Sequence, residues 1–195
     1  MDDRLLWYTT RGAGAVTLVL LTAVVVLGVL SVLRFEAPGW PRFLTAGLHR
    51  NLALATVAFL ALHVVTAVVD PYTNLGWAAA IVPFSSWYRT LWLGLGTIAA
   101  ELVGAVVLTS LLRRRLGHRG WRAVHWLTYL SWPVAVVHGL GTGTDSGSDW
   151  LLGLDVVCVA AVLLAVGCRL WPGSPDPLAA ARSRFRAATA RETRP

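Results

Sequence analysis

The chain has 195 residues, of which 56% are hydrophobic and only 14% are charged, and its mean hydropathy is +0.62. These values exclude an ordinary soluble domain, in which about a quarter of the residues are charged, and they exclude a disordered chain. All 17 basic residues are arginines, and ten acidic residues leave a formal charge of +7. The arginines lie between long apolar runs, which is typical of membrane flanks rather than of nucleic-acid binding. We therefore expect one integral membrane domain in a lipid bilayer, with no nucleic-acid partner.

Five segments are long and apolar enough to predict membrane-spanning helices, since a span needs about 20 mostly apolar residues. In chain order they are 12–33, 52–69, 90–112, 123–140 and 150–168. None of them alternates as an outer-membrane β-strand does, so the predicted fold class is an all-α integral membrane protein with a five-helix transmembrane bundle. Segment 75–87 is apolar too, but Pro83 interrupts it, and it is predicted to be a loop or a short interfacial segment.

The chain changes character after residue 171. Residues 1–171 are predicted to form the membrane domain, and residues 172–195 a cytoplasmic tail rich in Arg and Pro. The tail is too short to hold a nucleotide-binding domain. The Gly-rich loop 141–149 has no Walker lysine and follows no predicted strand, so we interpret it as a connection and not as a phosphate site.

The arginine distribution predicts the topology. With five spans, three arginines fall on the side of the N-terminus and 14 on the opposite side. The positive-inside rule therefore predicts an N-terminus outside and a C-terminus in the cytoplasm, in a multi-pass plasma membrane protein.

Cys158 and Cys168 lie in one apolar segment, ten residues apart, which is about 15 Å along a helix and too far for a disulfide.

Four of the five histidines fall in or at the ends of two predicted helices. His49 and His63 are 14 residues apart on the second helix, and His125 and His138 are 13 apart on the fourth. Since the third helix returns the chain, the second and fourth run in the same direction. His49 and His125 are therefore expected near the cytoplasmic face, and His63 and His138 near the outer face.

This spacing suits two haems stacked across one bilayer. Thirteen or fourteen residues span about 20 Å of helix, and a neutral imidazole from each helix can fill the two axial positions of an iron. Fourteen residues return to within about 40° of one helix face, whereas thirteen miss it by about 140°. The fourth helix must therefore be distorted, and Pro133, between His125 and His138, is a candidate cause.

A second interpretation remains open. A histidine in a membrane helix can simply hydrogen-bond to a neighbouring helix. The alternative function is a non-haem proton-coupled transporter or a membrane assembly factor, with Glu101 in the third helix and the membrane histidines as titrating groups. That alternative predicts no visible chromophore.

The segments 48–63 and 121–139, with their four histidines, resemble the ferric-reductase-like transmembrane domain superfamily. That superfamily includes the membrane haem domains of ferric reductases, of NADPH oxidases and of the haem-binding subunit of the methionine sulfoxide reductase system. The resemblance covers most of the membrane portion. It implies two b-type haems, the inner one held by His49 with His125 and the outer one by His63 with His138.

The resemblance also implies what the chain needs from others. Many relatives continue into a cytoplasmic flavin and nicotinamide domain, which the short tail cannot supply. We expect an oxidoreductase component that passes electrons across the membrane. Its donor is a separate flavoprotein reductase or a quinol, so that flavin or quinone belongs to a partner. The acceptor is extracytoplasmic, a small molecule or a redox protein.

Three arginines are candidates to bind haem propionates at the membrane faces. Arg50 and Arg122 accompany the inner histidines, and Arg89 lies near the start of the third helix, on the outer side. The alternative is that each arginine only anchors a helix end.

Aromatic residues allow two readings as well. Phe59 and Trp132 each lie between the two histidines of their helix, where they either fill the gap between haems or pack in the core. Trp121, like most of the tryptophans, lies near a predicted interface and is assigned to an aromatic belt.

Overall fold

A computed structural model describes residues 3–35, 37, 39–142 and 149–171. The predicted tail 172–195 and most of the predicted loop 141–149 lie outside these residues. The described part of the chain forms seven α-helices and no strand. They are α1 (Asp3–Leu33), α2 (Arg42–Val69), α3 (Gly76–Ile81), α4 (Thr90–Leu111), α5 (Arg113–His125), α6 (Thr128–Thr142) and α7 (Asp149–Leu170).

Four stretches of these helices are long and apolar enough to cross a membrane. They are Leu5–Leu33, Phe43–Val69, Thr90–Leu111 and Trp150–Leu170. Many of their large apolar side chains are exposed, such as Leu163 at 64% and Leu164 at 70% on α7. An exposed apolar surface of this extent suits lipid and not water. The all-α membrane class is therefore confirmed, together with four of the five predicted spans.

The fourth predicted segment, 123–140, is not one helix. It is interrupted at Trp126 and Leu127, where α5 ends and α6 has not begun. The Leu127 N–H donates to the carbonyl of Val124 at 2.9 Å, and the Tyr129 N–H donates to Trp126 at 3.1 Å. These bonds span three residues instead of four, which tightens the helix locally. The 15 residues of α6 rise about 22 Å, which is less than the hydrocarbon thickness of about 30 Å.

The interruption of the fourth segment therefore lies between His125 and His138, as expected, but six residues before Pro133, the candidate cause. The helix α6 continues through Pro133. Because proline has no N–H, it leaves the carbonyl of Tyr129 without its usual intrahelical donor. The tight turn at Trp126 and Leu127 precedes that weakened point and separates the backbone around His125 from the backbone of α6.

The segment between α2 and α4 does not span the membrane, as the sequence predicted. It packs against α4. It contains α3, a helix of six residues. The hydroxyl of Thr97 on α4 donates to the carbonyl of Ala79 at 2.8 Å. The ring of Phe84 lies against Gly94 so closely that a Cβ at Gly94 would collide with it. This packing fixes the start of α4, the end that bears the outer histidine contacts described below.

The core lies where α1, α6 and α7 meet, and α1 also packs along the length of α2. Its buried residues are Leu21, Val25, Trp132, Val136, Cys158 and Val162. The indole N–H of Trp132 on α6 donates to the hydroxyl of Thr22 on α1 at 2.9 Å, and both side chains are buried. The interpretation of Trp132 as a core residue is confirmed, and its hydrogen bond joins α6 to α1.

Replacing Trp132 by Phe is expected to destabilise the protein by about 1–3 kcal/mol. The change removes the N–H donor from a buried hydroxyl and leaves a small void. Thermal unfolding of the purified protein in detergent measures the effect, and Thr22→Val completes a double-mutant cycle. We expect a coupling of about 0.5–2 kcal/mol between the two positions. Strictly additive effects would contradict the hydrogen bond.

Candidate functional site

The four membrane histidines face each other in two pairs. The ring centres of His49 and His125 are 6.3 Å apart, with 58° between the ring planes. Those of His63 and His138 are also 6.3 Å apart, at 78°. The helices α2 and α6 make little direct contact, since α2 packs on α1 and α6 packs on α4. The rings of His63 and His138 thus approach one another although their helices make little direct contact, and both pairs are the ones that the sequence predicted.

Three of the four rings are oriented by backbone carbonyl groups on a neighbouring helix. The acceptors are the carbonyls of Val24 for His49 at 3.0 Å, Thr10 for His63 at 2.8 Å and Trp92 for His138 at 2.7 Å. A carbonyl only accepts, so in each case Nδ1 carries the proton and donates it. The lone pair of Nε2 is then left available. This is the usual arrangement of a metal-binding histidine, in which the second nitrogen fixes the tautomer and the ring orientation.

The distance within each pair fits a metal ion between the rings. A bond from a metal to an imidazole nitrogen is about 2.0 Å long, and a ring centre lies about 1.1 Å from each nitrogen. Two imidazoles on opposite sides of one ion therefore have centres about 6.2 Å apart, close to the observed 6.3 Å.

The number of ligands favours a haem iron over a bare ion. Among the described residues, no group of three or more His, Cys, Asp or Glu side chains could hold a metal. A protein-bound zinc ion usually takes three or four protein ligands. A haem iron already has four porphyrin nitrogens and needs two axial ligands. Two isolated histidine pairs therefore fit two haems better than they fit any site for a free ion.

Glycines on the neighbouring helices make room for two of the rings. Gly14 on α1 lies under His63, and a Cβ there would be 3.0 Å from the ring atoms Cε1 and Nδ1. Gly96 on α4 lies under His138, and a Cβ there would be 2.5 Å from Cε1. Such distances are too short for an alanine unless the ring moves. Each glycine comes four residues after the carbonyl that accepts the ring N–H.

A third glycine, Gly28, also comes four residues after an accepting carbonyl, but it lies farther from its histidine ring. A Cβ on Gly28 would lie 3.5 Å from Cε1 of His49, which is an ordinary contact. Gly14 and Gly28 are 14 residues apart on α1, the same separation as His49 and His63 on α2. Sequence reasoning missed these glycines, although this shared interval was a signal that could have found them.

His125 differs from the other three. Its Nδ1 is buried and has no hydrogen-bond partner within the described part of the chain. The ring instead lies against the indole of Trp121, with ring centres 4.9 Å apart and 30° between the planes.

The comparisons with known proteins agree with this geometry. A family model described as "Ferric reductase like transmembrane component" matches residues 13–136, more than half of the chain. The chain belongs to this family. No curated protein and no solved structure matches the chain. Membership in the ferric reductase like family indicates a transmembrane component of electron transfer, from a family whose domains generally bind haem.

The family match covers three of the four membrane histidines. His49, His63 and His125 lie inside residues 13–136, and His138 lies two residues beyond their end. The structure joins His138 to the matched region, because its ring N–H bonds to Trp92 and its ring faces His63.

The three arginines predicted to bind propionates lie near the expected ends of the bundle. Arg89 precedes α4, and its guanidinium donates to the carbonyl of Gly141 at 2.6 Å. This contact ties the start of α4 to the end of α6, which is the helix-anchoring alternative. Arg50 and Arg122 have exposed side chains beside the inner histidine pair, where their charges face outward.

Glu101, the titrating group of the transporter alternative, lies on the surface of α4. Its side chain on α4 is exposed, and it makes no hydrogen bond or ion pair with any residue that the structure describes. Phe59 is 37% exposed, so the core-packing interpretation, confirmed for Trp132, is wrong for Phe59.

Proposed function

We propose that the protein is a di-haem b-type membrane cytochrome that passes electrons across the plasma membrane. The observation that carries the proposal is the pair of facing imidazoles, at 6.3 Å, found once in each half of the bundle. Family membership supports electron transfer as the general role.

Each histidine has a defined part in this proposal. His49 and His125 would hold the inner haem, and His63 and His138 the outer one. A haem iron supplies reversible one-electron chemistry when it is bound. With two histidines available to each haem, such a site would favour electron transfer over direct binding of oxygen. The carbonyls on α1 and α4 hold three of these rings in one tautomer, which leaves the lone pair of each Nε2 available for a metal.

The proposed topology has five membrane passes, with the N-terminus outside and the C-terminus in the cytoplasm. The four long apolar helices form four passes. The end of α5 and the helix α6 together form the fifth pass. The arginine-rich start of α5, with Arg113, Arg114 and Arg115, then faces the cytoplasm, as the positive-inside rule requires. In this arrangement Arg50 and Arg122 are placed for inner propionates and Arg89 for outer ones.

The proposed partners follow from what the chain holds. Residues 1–171 form the haem domain, and residues 172–195 a cytoplasmic tail. Electrons come from a separate cytoplasmic flavoprotein reductase or from a quinol, and the flavin or quinone belongs to that partner. The acceptor is extracytoplasmic, either a small molecule or a redox protein. The protein is thus one component of an oxidoreductase.

Optical spectroscopy tests the haem content directly. We expect protein expressed with sufficient haem, purified and reduced with dithionite, to show the Soret and α bands of six-coordinate b-type haem. A pyridine haemochrome assay should give about two haems per chain, one for each histidine pair. His118→Ala is the control, since His118 is exposed on α5 and belongs to neither pair. Absence of these bands from folded protein would rule out the proposed function and leave the transporter alternative.

A further inference from the structure

Three of the four histidine rings share one structural device, and the fourth lacks it. In each of the three, a helix carbonyl accepts the ring N–H and a glycine follows four residues later, close under His63 and His138 and in ordinary contact range of His49. On α1 the device occurs twice, with the glycines Gly14 and Gly28 separated by 14 residues. On α4 it occurs once, at Gly96, beside His138.

The position on α4 that corresponds to a second glycine is occupied by Ser110. Ser110 follows Gly96 by 14 residues, as Gly28 follows Gly14. Its hydroxyl donates at 2.7 Å to the carbonyl of Val106, four residues earlier. By this register the Val106 carbonyl corresponds to the three carbonyls that accept a ring N–H, and it accepts a hydrogen bond from a serine hydroxyl instead.

Trp121 contacts both His125 and Ser110. Its ring packs on His125 at 4.9 Å, and its indole N–H donates to the hydroxyl of Ser110 at 3.2 Å. The guanidinium of Arg113 lies 4.8 Å from the centre of the same indole. The indole is thus held at its edge by α4 and contacted by a cation and by an imidazole. An aromatic belt residue needs none of these contacts, because belt tryptophans direct the N–H to the water interface.

We propose that Trp121 is the positioning residue of His125 and takes the place of the backbone carbonyl that orients each of the other three rings. The proposal rests on the proposed function, in which His125 is an axial ligand of the inner haem. It makes the two haem sites chemically different. The outer site has two imidazoles whose Nδ1 donates to a carbonyl, whereas the inner site has one such imidazole and one that is held by stacking.

This difference has consequences for the inner site. A hydrogen bond from Nδ1 to a carbonyl makes the opposite nitrogen a stronger donor and holds the ring against rotation. His125 lacks that bond within the described residues and depends on Trp121 for its orientation. Loss of the indole should therefore weaken the inner axial bond and leave the outer pair unchanged.

The test compares three variants of the full chain. Trp121→Ala removes the stacking ring, and Trp121→Phe keeps an aromatic ring without the N–H. Trp126→Ala is the matched control, because Trp126 is a nearby tryptophan, 51% exposed, that stacks on Tyr129 at 5.2 Å. The readouts are the rate of haem transfer to apomyoglobin, which resolves the two haems kinetically, and the low-spin ferric EPR signals.

We expect Trp121→Ala to release one haem about 10- to 100-fold faster than the unmodified protein, the usual effect of losing a group that orients a metal ligand. The EPR signal of that haem should change, and the signal of the other should not. Trp121→Phe should restore most of the retention, and Trp126→Ala should behave as the unmodified protein. Ser110→Ala removes the acceptor of the indole N–H and also the hydrogen bond to the Val106 carbonyl, and it should shift the inner signal alone.

Two results would overturn the inference while leaving the proposed function intact. One is a Trp121→Ala protein that keeps both haems as tightly as Trp126→Ala does. The other is equal loss of both haems, which would make Trp121 a general packing residue. Should Trp121→Ala fail to fold, Trp121→Phe and Ser110→Ala decide in its place, and unchanged inner signals in both would overturn the inference. An unmodified protein without haem would instead defeat the proposed function itself.

Discussion

Replacing either His63 or His138 by alanine is expected to remove the same haem and to leave the other haem in place. The two rings face each other at 6.3 Å, so in the proposed arrangement each variant would leave the outer haem with one histidine. Haem content should fall from about two per chain to about one in both variants, with the α band reduced by about half. Quantitative pyridine haemochrome spectra and EPR of the purified proteins measure this.

The inner pair supplies the comparison for that experiment. His49→Ala and His125→Ala should remove the other haem, so the EPR signal that survives must differ between the two sets of variants. The double variant of His63 and His138 should lose no more than one haem. If His63→Ala and His138→Ala left different signals behind, the pairing of the rings across the space between α2 and α6 would be wrong.

Replacing Gly96 by alanine should displace the His138 ring and weaken the outer haem. A Cβ at this position would lie 2.5 Å from Cε1 and 2.6 Å from Nδ1 of His138, which is too close for any side chain carbon. The ring must move, and its hydrogen bond to the carbonyl of Trp92 must lengthen or break. Overpacking of this kind costs about 1–3 kcal/mol, which corresponds to about 5- to 150-fold in haem affinity.

Gly28→Ala is the matched control, because both glycines lie under a histidine ring in a long apolar helix. Its Cβ would meet His49 at 3.5 Å, an ordinary contact, so both haems should be retained. Gly14→Ala, at 3.0 Å from His63, should fall between the two. Haem affinity from competition with apomyoglobin ranks the three variants. An effect of Gly28→Ala as large as that of Gly96→Ala would show that helix stability, and not ring clearance, explains the loss.

The membrane class of the protein and the identity of its paired histidines could be read from the sequence. A long apolar segment predicts a span because the favourable free energy of transferring each apolar side chain into lipid adds up along the segment. The separation of 14 residues between His49 and His63 predicts one helix face and two depths, since both follow from the regular rise and turn of a helix. The pairing with His125 and His138 followed from chain direction alone.

The break before α6 could not be read in the same way. Proline is the expected site of a helix kink, yet the interruption lies at Trp126 and Leu127. Nothing in those two side chains disfavours a helix strongly. The break depends on how α5 and α6 each pack against α4, which is a property of three helices together.

The groups that orient the histidines were decided by the tertiary structure. The carbonyls that receive the ring N–H groups of His49, His63 and His138 are 25, 53 and 46 residues away in the chain. Every residue has a carbonyl, so no sequence pattern marks these three. The sequence by itself determined four segments that can cross a membrane and the pairing of the imidazoles, because hydropathy and helical spacing are local. Only helix packing decided that three imidazoles donate to the backbone while the fourth rests on Trp121, because those partners meet only when separate helices come together.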